Sequence, residues 1–132
     1  MDVRIERFQL AGGGTSWDNA HVDTAGTGQT MRINNAALTF DLSKLSGSTQ
    51  SVMMEYVDMG GGANIAVNGG TVHTATVSSL PSAVGPGVVL FTTATPIAGG
   101  RRGRIILLGS IKNFTIGGQE LWIDNVTARD CD

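Results

Sequence analysis

The chain has few charged residues and a single cysteine. Charged residues make up 15% of its 132 positions, compared with about 25% in an ordinary soluble domain. The formal net charge is -2, so the chain lacks the basic field that collects phosphate backbones, and we expect no nucleic-acid partner. Cys131 is the lone cysteine. It has no partner for an intrachain disulfide and leaves the redox compartment undetermined.

Long apolar runs and metal-ligand clusters are also missing. No stretch of ~18 consecutive apolar residues occurs, so we expect no membrane-spanning helix. Residues 1–6 lack the apolar core of a secretory signal peptide, and the compartment stays open. His21 and His73 have no neighbour at metal-ligand spacing, which argues against a zinc site.

Glycine and β-branched residues are abundant instead. The chain contains 19 glycines, and several short glycine clusters separate segments in which apolar and polar residues alternate. Alternation with a period of two predicts half-buried β-strands. About nine or ten such segments follow one another, with at most one short helix. The sequence therefore predicts an all-β protein, an antiparallel two-sheet β-sandwich of jelly-roll type, formed as one domain by residues 1–132.

Three segments give the most specific structural predictions. Residues 52–57 are apolar on nearly both faces, which predicts a central strand. Asn68 and Gly69 are typical of a tight hairpin turn, because both residue types tolerate positive φ angles. Near the end of the chain, two short apolar segments flank Gly117 and Gly118, which predicts a closing hairpin that turns at the two glycines.

No motif fixes a catalytic chemistry. The chain lacks the G-x-S-x-G nucleophile elbow and the G-x-x-x-x-G-K-[ST] phosphate loop. A pair of catalytic carboxylates is recognised from its separation in space, which sequence does not supply. We expect a protein without catalytic activity. The alternative is a small sandwich-fold hydrolase in which an acidic residue meets His21 or His73.

Oxygen ligands for a hard cation occur near predicted strand ends. Asp18, Asp23 and Asp124 would converge if the N-terminal segment packs beside the last strand. Carboxylate oxygens are preferred ligands of Ca²⁺. These three residues are the candidates for a structural calcium site, although nothing in the sequence requires a cofactor.

The few aromatic side chains are the candidates for ligand contacts. Trp17, Tyr56 and Trp122 would offer ring faces to a sugar if they are exposed, because a ring face pairs well with apolar C–H surface. Trp17 is the best placed of them, since it follows a glycine-rich loop. The candidate partners for sugar hydroxyl groups are Asp58, Asn64 and Asn68.

One basic cluster stands out in the second half of the chain. Arg101, Arg102 and Arg104 follow two glycines, and we expect them to keep a strand edge or a loop soluble. The alternative is a site for an anion or a carboxylate, built from guanidinium groups. The role of the three arginines is not decided by the sequence.

Four segments together resemble a known class of domain. Residues 38–42, 54–61, 64–69 and 117–126 resemble a jelly-roll β-sandwich domain of secreted or cell-surface bacterial proteins, over roughly residues 17–127. The string GGQELWIDNV is similar to the last strand of jelly-roll carbohydrate-binding modules. The resemblance implies a non-catalytic, extracellular or cell-surface module that binds a glycan or a cell-surface polymer. The alternative is a structural or self-assembling protein, a homo-oligomer whose low charge reflects a subunit interface.

Overall fold

The structure is a computed structural model that describes residues 2–23, 30–45 and 48–130. Within these ranges two antiparallel β-sheets pack face to face, which confirms the predicted all-β sandwich. The described part contains a single 3₁₀ turn, Val77–Ser79, and no helix that is long and apolar enough to span a membrane. Cys131 lies outside the described residues.

The first sheet has six strands. They are β1 (Asp2–Gln9), β2 (Thr15–Ser16), β5 (Ala36–Asp41), β7 (Ala63–Val67), β8 (His73–Ala75) and β13 (Asn113–Gly118). Their order across the sheet is β2-β1-β5-β13-β7-β8.

The second sheet has eight strands. They are β3 (Asn19–Asp23), β4 (Thr30–Asn34), β6 (Thr49–Asp58), β9 (Ala83–Gly85), β10 (Val88–Thr92), β11 (Thr95–Ile97), β12 (Gly100–Leu108) and β14 (Leu121–Asp130). Their order is β3-β4-β14-β6-β12-β10-β9, and β11 pairs with β12. There are more strands than the sequence predicts, because β2, β9 and β11 have only two or three residues each, too few for alternation to be recognised.

The core lies between the two sheets and follows the expected alternation. In β6, Val52, Met54 and Tyr56 face the core, whereas the residues between them lie on the outer face of the sheet. β6 is flanked by β14 and β12, so the predicted central strand is confirmed. Phe40 and Phe114 stack at the centre of the six-stranded sheet, with ring centroids 4.7 Å apart.

The predicted closing hairpin is wrong. β13 pairs with β5 and β7 in one sheet, while β14 pairs with β4 and β6 in the other, so the chain crosses between the sheets after β13. Gly117 and Gly118 are buried within β13. A Cβ atom at Gly117 would lie 2.8 Å from the Cβ of Ala37. Close packing between neighbouring strands, and not a turn, accounts for glycine at this position.

The other predicted hairpin is confirmed. β7 and β8 pair antiparallel, with Ile65 opposite His73. Asn68 and Gly69 both have positive φ angles, of 54° and 70°, as a tight primed turn requires. The side chain of Asn68 then fastens this turn to the neighbouring loop, since its Oδ1 accepts the backbone N–H of Lys112 at 2.7 Å and its Nδ2 donates to the carbonyl of Ser110 at 2.9 Å.

The end of β1 is held over the outer face of the six-stranded sheet. Asn64 lies on that face and is 1% exposed. Its Oδ1 accepts the backbone N–H of Gln9 at 2.7 Å, and its Nδ2 donates to the carbonyl of Gln9 at 2.9 Å. Phe8 is buried beside this contact and lies close to Gly62. In addition to the pairing of β1 with β5, this buried amide therefore anchors the β1–β2 hairpin to the sandwich.

Candidate functional site

The most exposed tryptophan lies where the chain passes from one sheet to the other. Trp17 follows β2, precedes β3 and keeps 52% of its surface exposed. The guanidinium carbon of Arg7, on β1, lies 5.9 Å from the centroid of the indole. A cation at this distance is attracted to the ring. The contact holds an exposed indole against the edge of the six-stranded sheet.

Polar side chains line the chain immediately after Trp17. The register of β3 and β4 places Asn19 opposite Asn34. The Nδ2 of Asn34 donates to Oδ1 of Asn19 at 3.1 Å, and the Nδ2 of Asn19 donates to Oδ1 of Asp18 at 3.1 Å. Asp18 and Asn19 are both exposed. Two amides and a carboxylate thus form a hydrogen-bonded row that begins at the residue after Trp17.

Asn35 connects this row to the backbone on both sides. Its carbonyl accepts the backbone N–H of Asp18 at 3.2 Å, and its own N–H donates to the carbonyl of Gln119 at 3.3 Å. Its φ angle is 45°, a conformation that asparagine tolerates better than most residues. The side-chain Oδ1 of Asn35 accepts the hydroxyl of Ser16 at 3.4 Å. We call the group of Arg7, Ser16, Trp17, Asp18, Asn19, Asn34 and Asn35 the Trp17 corner.

Trp122 occupies a different environment. It lies on the outer face of the eight-stranded sheet, opposite Arg32 of β4, and is half-buried. The guanidinium carbon of Arg32 lies 4.9 Å from the centroid of the indole. The side chain of Arg32 covers part of this ring, so Trp122 offers a ligand less of its surface than Trp17 does.

Tyr56 is not the exposed ring that a platform requires. It is 3% exposed, and its hydroxyl donates to the carbonyl of Thr93 at 2.7 Å. Burial raises the pKa of the Tyr56 phenol, with a smaller contribution from the nearby carboxylate of Asp58. Tyr56 faces the core because its parity in β6 matches that of Met54. It belongs to the core and leaves the set of ligand-binding candidates.

Asn64 and Asn68 are also structural. The amide of Asn64 is buried against Gln9 and also donates to the hydroxyl of Thr74 at 3.1 Å. Asn68 is exposed, but its side chain is engaged by Lys112 and Ser110. Neither amide is presented to a sugar hydroxyl.

Asp58 is half-buried at the end of β6. Burial raises the pKa of its carboxyl group above the ordinary value, and Glu120 adds to the increase. The backbone N–H of Gly60, which donates to Oδ1 at 3.0 Å, and the charge of Arg101 act in the opposite direction. Asp58 precedes β7 and Asn68 follows it, so the two predicted hydroxyl partners lie at opposite ends of that strand.

The three arginines of the basic cluster do not form one anion site. Arg101 and Arg102 are consecutive residues of β12, and their side chains therefore leave opposite faces of the sheet. Arg101 lies opposite Asp58, and its Nη1 donates to the hydroxyl of Ser78 at 2.9 Å. Arg104 lies opposite Glu55 on the outer face and shares that face with Arg102.

The strand register separates two of the proposed calcium ligands, Asp18 and Asp124. Asp18 is level with Asn35, whereas Asp124 follows Ile123, which lies opposite Met31. Five residues of strand correspond to about 16 Å, much more than one cation spans. The side chain of Asp23 lies outside the described part of the chain. Among the residues that are described, no group of three His, Cys, Asp or Glu side chains could hold a metal ion.

The histidines give no support for a hydrolase site. His73 is half-buried on β8, opposite Ile65. The side chain of His21 lies outside the described residues, although its backbone belongs to β3. The hydrolase alternative therefore stays a prediction that no contact in the described ranges favours.

Sequence reasoning missed Arg7, Asn34 and Asn35 as neighbours of Trp17. The pair of asparagines was visible as a turn between two strands, and this was the available signal. The proximity of Arg7 to Trp17 depends on the β1–β2 pairing, in which Phe8 lies opposite Ser16. A strand of two residues has no periodicity from which that pairing could be predicted.

Comparison with known proteins shows no family for this chain. The observed architecture is two antiparallel sheets of six and eight strands. The chain matches no family model, and neither the curated proteins nor the solved structures contain a significant match.

Proposed function

We propose that this protein is a non-catalytic binding module that recognises carbohydrate at the Trp17 corner. The observation that carries the proposal is the exposed indole of Trp17, followed directly along the chain by the hydrogen-bonded row of Asp18, Asn19 and Asn34. A sugar ring has an apolar face and a rim of hydroxyl groups. The Trp17 corner offers a matching combination of ring face and polar groups within a few residues of chain.

The indole would supply the apolar part of the contact. Half of the surface of Trp17 faces solvent, and an exposed aromatic side chain has a large apolar body that gains from being covered. Arg7 lies against the ring and restricts the rotation of the indole. A restrained side chain loses less conformational entropy on binding.

The hydrogen-bonded row of Asp18, Asn19 and Asn34 would supply directional hydrogen bonds to the hydroxyl groups of the sugar. Carboxylate oxygens accept hydrogen bonds, and side-chain amides both donate and accept them. A sugar hydroxyl group also donates and accepts, so the row can form hydrogen bonds of both kinds with it. The bonds from Asn34 to Asn19 and from Asn19 to Asp18 hold these groups in place before a ligand arrives. Asn19 and Asn34 lie on two paired strands, so their side chains are held more rigidly than they would be on an isolated loop.

The jelly-roll assignment belongs to this proposal. The two-sheet sandwich is compatible with a jelly-roll carbohydrate-binding module, and the GGQELWIDNV string resembles the last strand of such modules. A shared fold does not by itself imply a shared function. The Trp17 corner, and not the fold, therefore supports carbohydrate as the ligand.

A panel of soluble polysaccharides in native affinity gels tests the proposal. We expect at least one neutral or acidic polysaccharide to retard the wild-type protein, and Trp17→Ala to weaken the retardation about tenfold, equivalent to ~1.4 kcal/mol. Phe91→Ala is the matched control, because Phe91 is 51% exposed on the outer face of the eight-stranded sheet. Migration of the wild type unchanged by every polysaccharide would reject the proposal, as would equal effects of the two variants.

A further inference from the structure

We propose that the open edge of β1 pairs with the same strand of a second copy of this chain. β5 pairs with β1 over residues 2–7, and β2 pairs only with Phe8 and Gln9. Among the described residues, no strand pairs with the other edge of β1 over residues 2–7. Such an edge presents unpaired backbone N–H and C=O groups to another chain. This inference does not depend on carbohydrate binding.

The side chains of this edge strand are apolar on one face. Val3 and Ile5 are 47% and 46% exposed. Their register partners in β5, Phe40 and Leu38, belong to the buried core. Residues directly opposite each other share a face of the sheet. Val3 and Ile5 therefore extend the core-facing surface of the sheet into solvent, where a second copy would cover them.

Other sheet ends are less suitable for pairing. β8 and β9, each at one end of a sheet, have three residues each, and β3, at the other end of the eight-stranded sheet, has five. Short edge strands limit pairing with other chains. By contrast, the open part of β1 covers residues 2–7 and contains no proline. The segment combines length with exposed β-branched residues, which favours strand addition.

The charges of β1 select one register for self-pairing. The register of an antiparallel pair of identical strands is defined by the residue that lies on the two-fold axis between them. With Ile5 on the axis, Arg4 lies opposite Glu6 of the second copy, and Glu6 lies opposite Arg4 of the second copy. Opposite charges at directly facing positions stabilise a strand pair, and like charges destabilise it. This register joins residues 3–7 of both copies through two reciprocal ion pairs. It ends at Val3, because Asp2 would lie opposite Phe8 of the second copy, which already pairs with Ser16 of its own chain.

The neighbouring registers are less favourable. With Arg4 on the axis, two arginines face each other and Asp2 faces Glu6. With Glu6 on the axis, two glutamates face each other. Placing Val3 on the axis pairs Asp2 with Arg4 but joins only residues 2–4. The sequence of β1 therefore specifies a two-fold dimer centred on Ile5.

The ion pair that β1 already makes within one copy does not prevent the dimer. Arg4 and Glu6 of one copy form an exposed ion pair at 2.8 Å, and an exposed pair contributes little to stability. Both side chains can exchange this contact for one across the dimer. At the same time Ile5 packs against its equivalent, and Val3 lies against the aliphatic part of Arg7. A contact of five residues per copy predicts a weak dimer, populated according to protein concentration.

Sedimentation velocity over a range of protein concentrations, with charge-reversal variants, tests the dimer and its register. We expect the wild type to show a concentration-dependent monomer–dimer equilibrium. Arg4→Glu and Glu6→Arg each place like charges opposite one another and should weaken the dimer at least tenfold. The double variant restores opposite charges at both positions and should return the dissociation constant to within about threefold of the wild-type value.

Two controls separate this dimer from other association. Ile5→Lys should abolish the dimer, whereas Leu108→Lys, at an exposed position of the other sheet, should leave it unchanged. Far-ultraviolet circular dichroism checks that each variant is folded, and slower amide exchange in residues 2–7 at high wild-type concentration locates the contact. A wild type that stays monomeric overturns the proposal. So does a dimer that survives Ile5→Lys, or single charge variants whose loss is not restored by the double variant.

Discussion

The side-chain amide of Asn64 satisfies both backbone hydrogen-bonding groups of Gln9. Its Oδ1 lies 2.7 Å from the backbone nitrogen of Gln9, and its Nδ2 lies 2.9 Å from the carbonyl oxygen. Asn64 belongs to β7, whereas Gln9 ends β1, so the contact fixes the end of β1 against a strand three places away in the sheet. The position of Trp17 depends on this contact, because β2 pairs with Phe8 and Gln9.

Asn64→Ala should lower the free energy of unfolding by about 2 kcal/mol, since it leaves backbone groups without partners. Asn19→Ala removes an exposed amide and should cost less than about 1 kcal/mol. Urea titration followed by circular dichroism measures both values. A loss for Asn64→Ala no larger than that for Asn19→Ala would show that the amide does not anchor β1.

Tyr56 is the only tyrosine in the chain, so its ionisation can be followed directly by absorbance at the wavelength of the phenolate. Burial raises the pKa of its phenol. We therefore expect the folded protein to titrate above the ordinary value of about 10 and the urea-unfolded protein to titrate near it. Because the folded-state pKa is raised, the stability contributed by the neutral phenol is present below pH ~10 and is lost as the pH rises through the folded-state pKa. Equal midpoints in the two states would contradict the buried position of Tyr56, and Tyr56→Phe provides the baseline.

Gly117→Ala should destabilise the fold by about 1–3 kcal/mol, because the added methyl group would lie 2.8 Å from the Cβ of Ala37. Gly12→Ala is the control, since a Cβ at Gly12 meets nothing within 4 Å. Thermal unfolding of both variants measures the difference. Equal melting temperatures would support a turn at Gly117 in place of a buried strand.

The contributions of Asp58 and Asp41 to the stability of the fold should change with pH in opposite directions. Burial raises the pKa of Asp58, so the folded state binds that proton more tightly than the unfolded state, and this contribution to stability is lost as the pH rises from below the ordinary value through the folded-state pKa. Hydrogen bonds from the hydroxyl and the backbone N–H of Ser43 lower the pKa of Asp41. Its contribution is present above the ordinary value and is lost as the pH falls through the folded-state pKa.

Substitution by asparagine isolates the two contributions. As the pH rises from 3 to 7, the free energy of unfolding of Asp58→Asn should increase relative to that of the wild type. Over the same rise, the free energy of unfolding of Asp41→Asn should decrease relative to that of the wild type. Urea midpoints at several pH values measure both trends. Trends of the same sign for the two variants would show that these carboxylates do not have the environments described above.

The sequence was most informative where the structure depends on local alternation. Val52, Met54 and Tyr56 fall on one face of β6 because side chains alternate along a strand, and the pattern alone predicted a central strand. The same parity places Tyr56 in the core. It could not show that Trp17 is exposed, because Trp17 lies between two strands and its exposure depends on the elements packed around it, a tertiary effect that the sequence does not display.

Two errors have a common physical origin. Gly117 and Gly118 indicated a turn, because paired glycines usually occur in turns. Their actual environment is set by Ala37 and Leu121, which lie within 3 Å of the Cβ positions of Gly117 and Gly118, respectively. Likewise Asn64 is a plausible sugar ligand in the sequence, but its amide is occupied by two hydrogen bonds with Gln9. Contacts between residues distant in the chain decided both cases.

The most direct test of carbohydrate recognition uses Trp17 as its own reporter. The chain has two tryptophans, so Trp122→Phe leaves Trp17 as the only source of tryptophan fluorescence. Titration of this variant with a polysaccharide that retards the wild type should give a saturable change in Trp17 emission, with the dissociation constant that calorimetry gives for the same variant. Saturable binding by calorimetry without any change in Trp17 emission would contradict a site at the Trp17 corner.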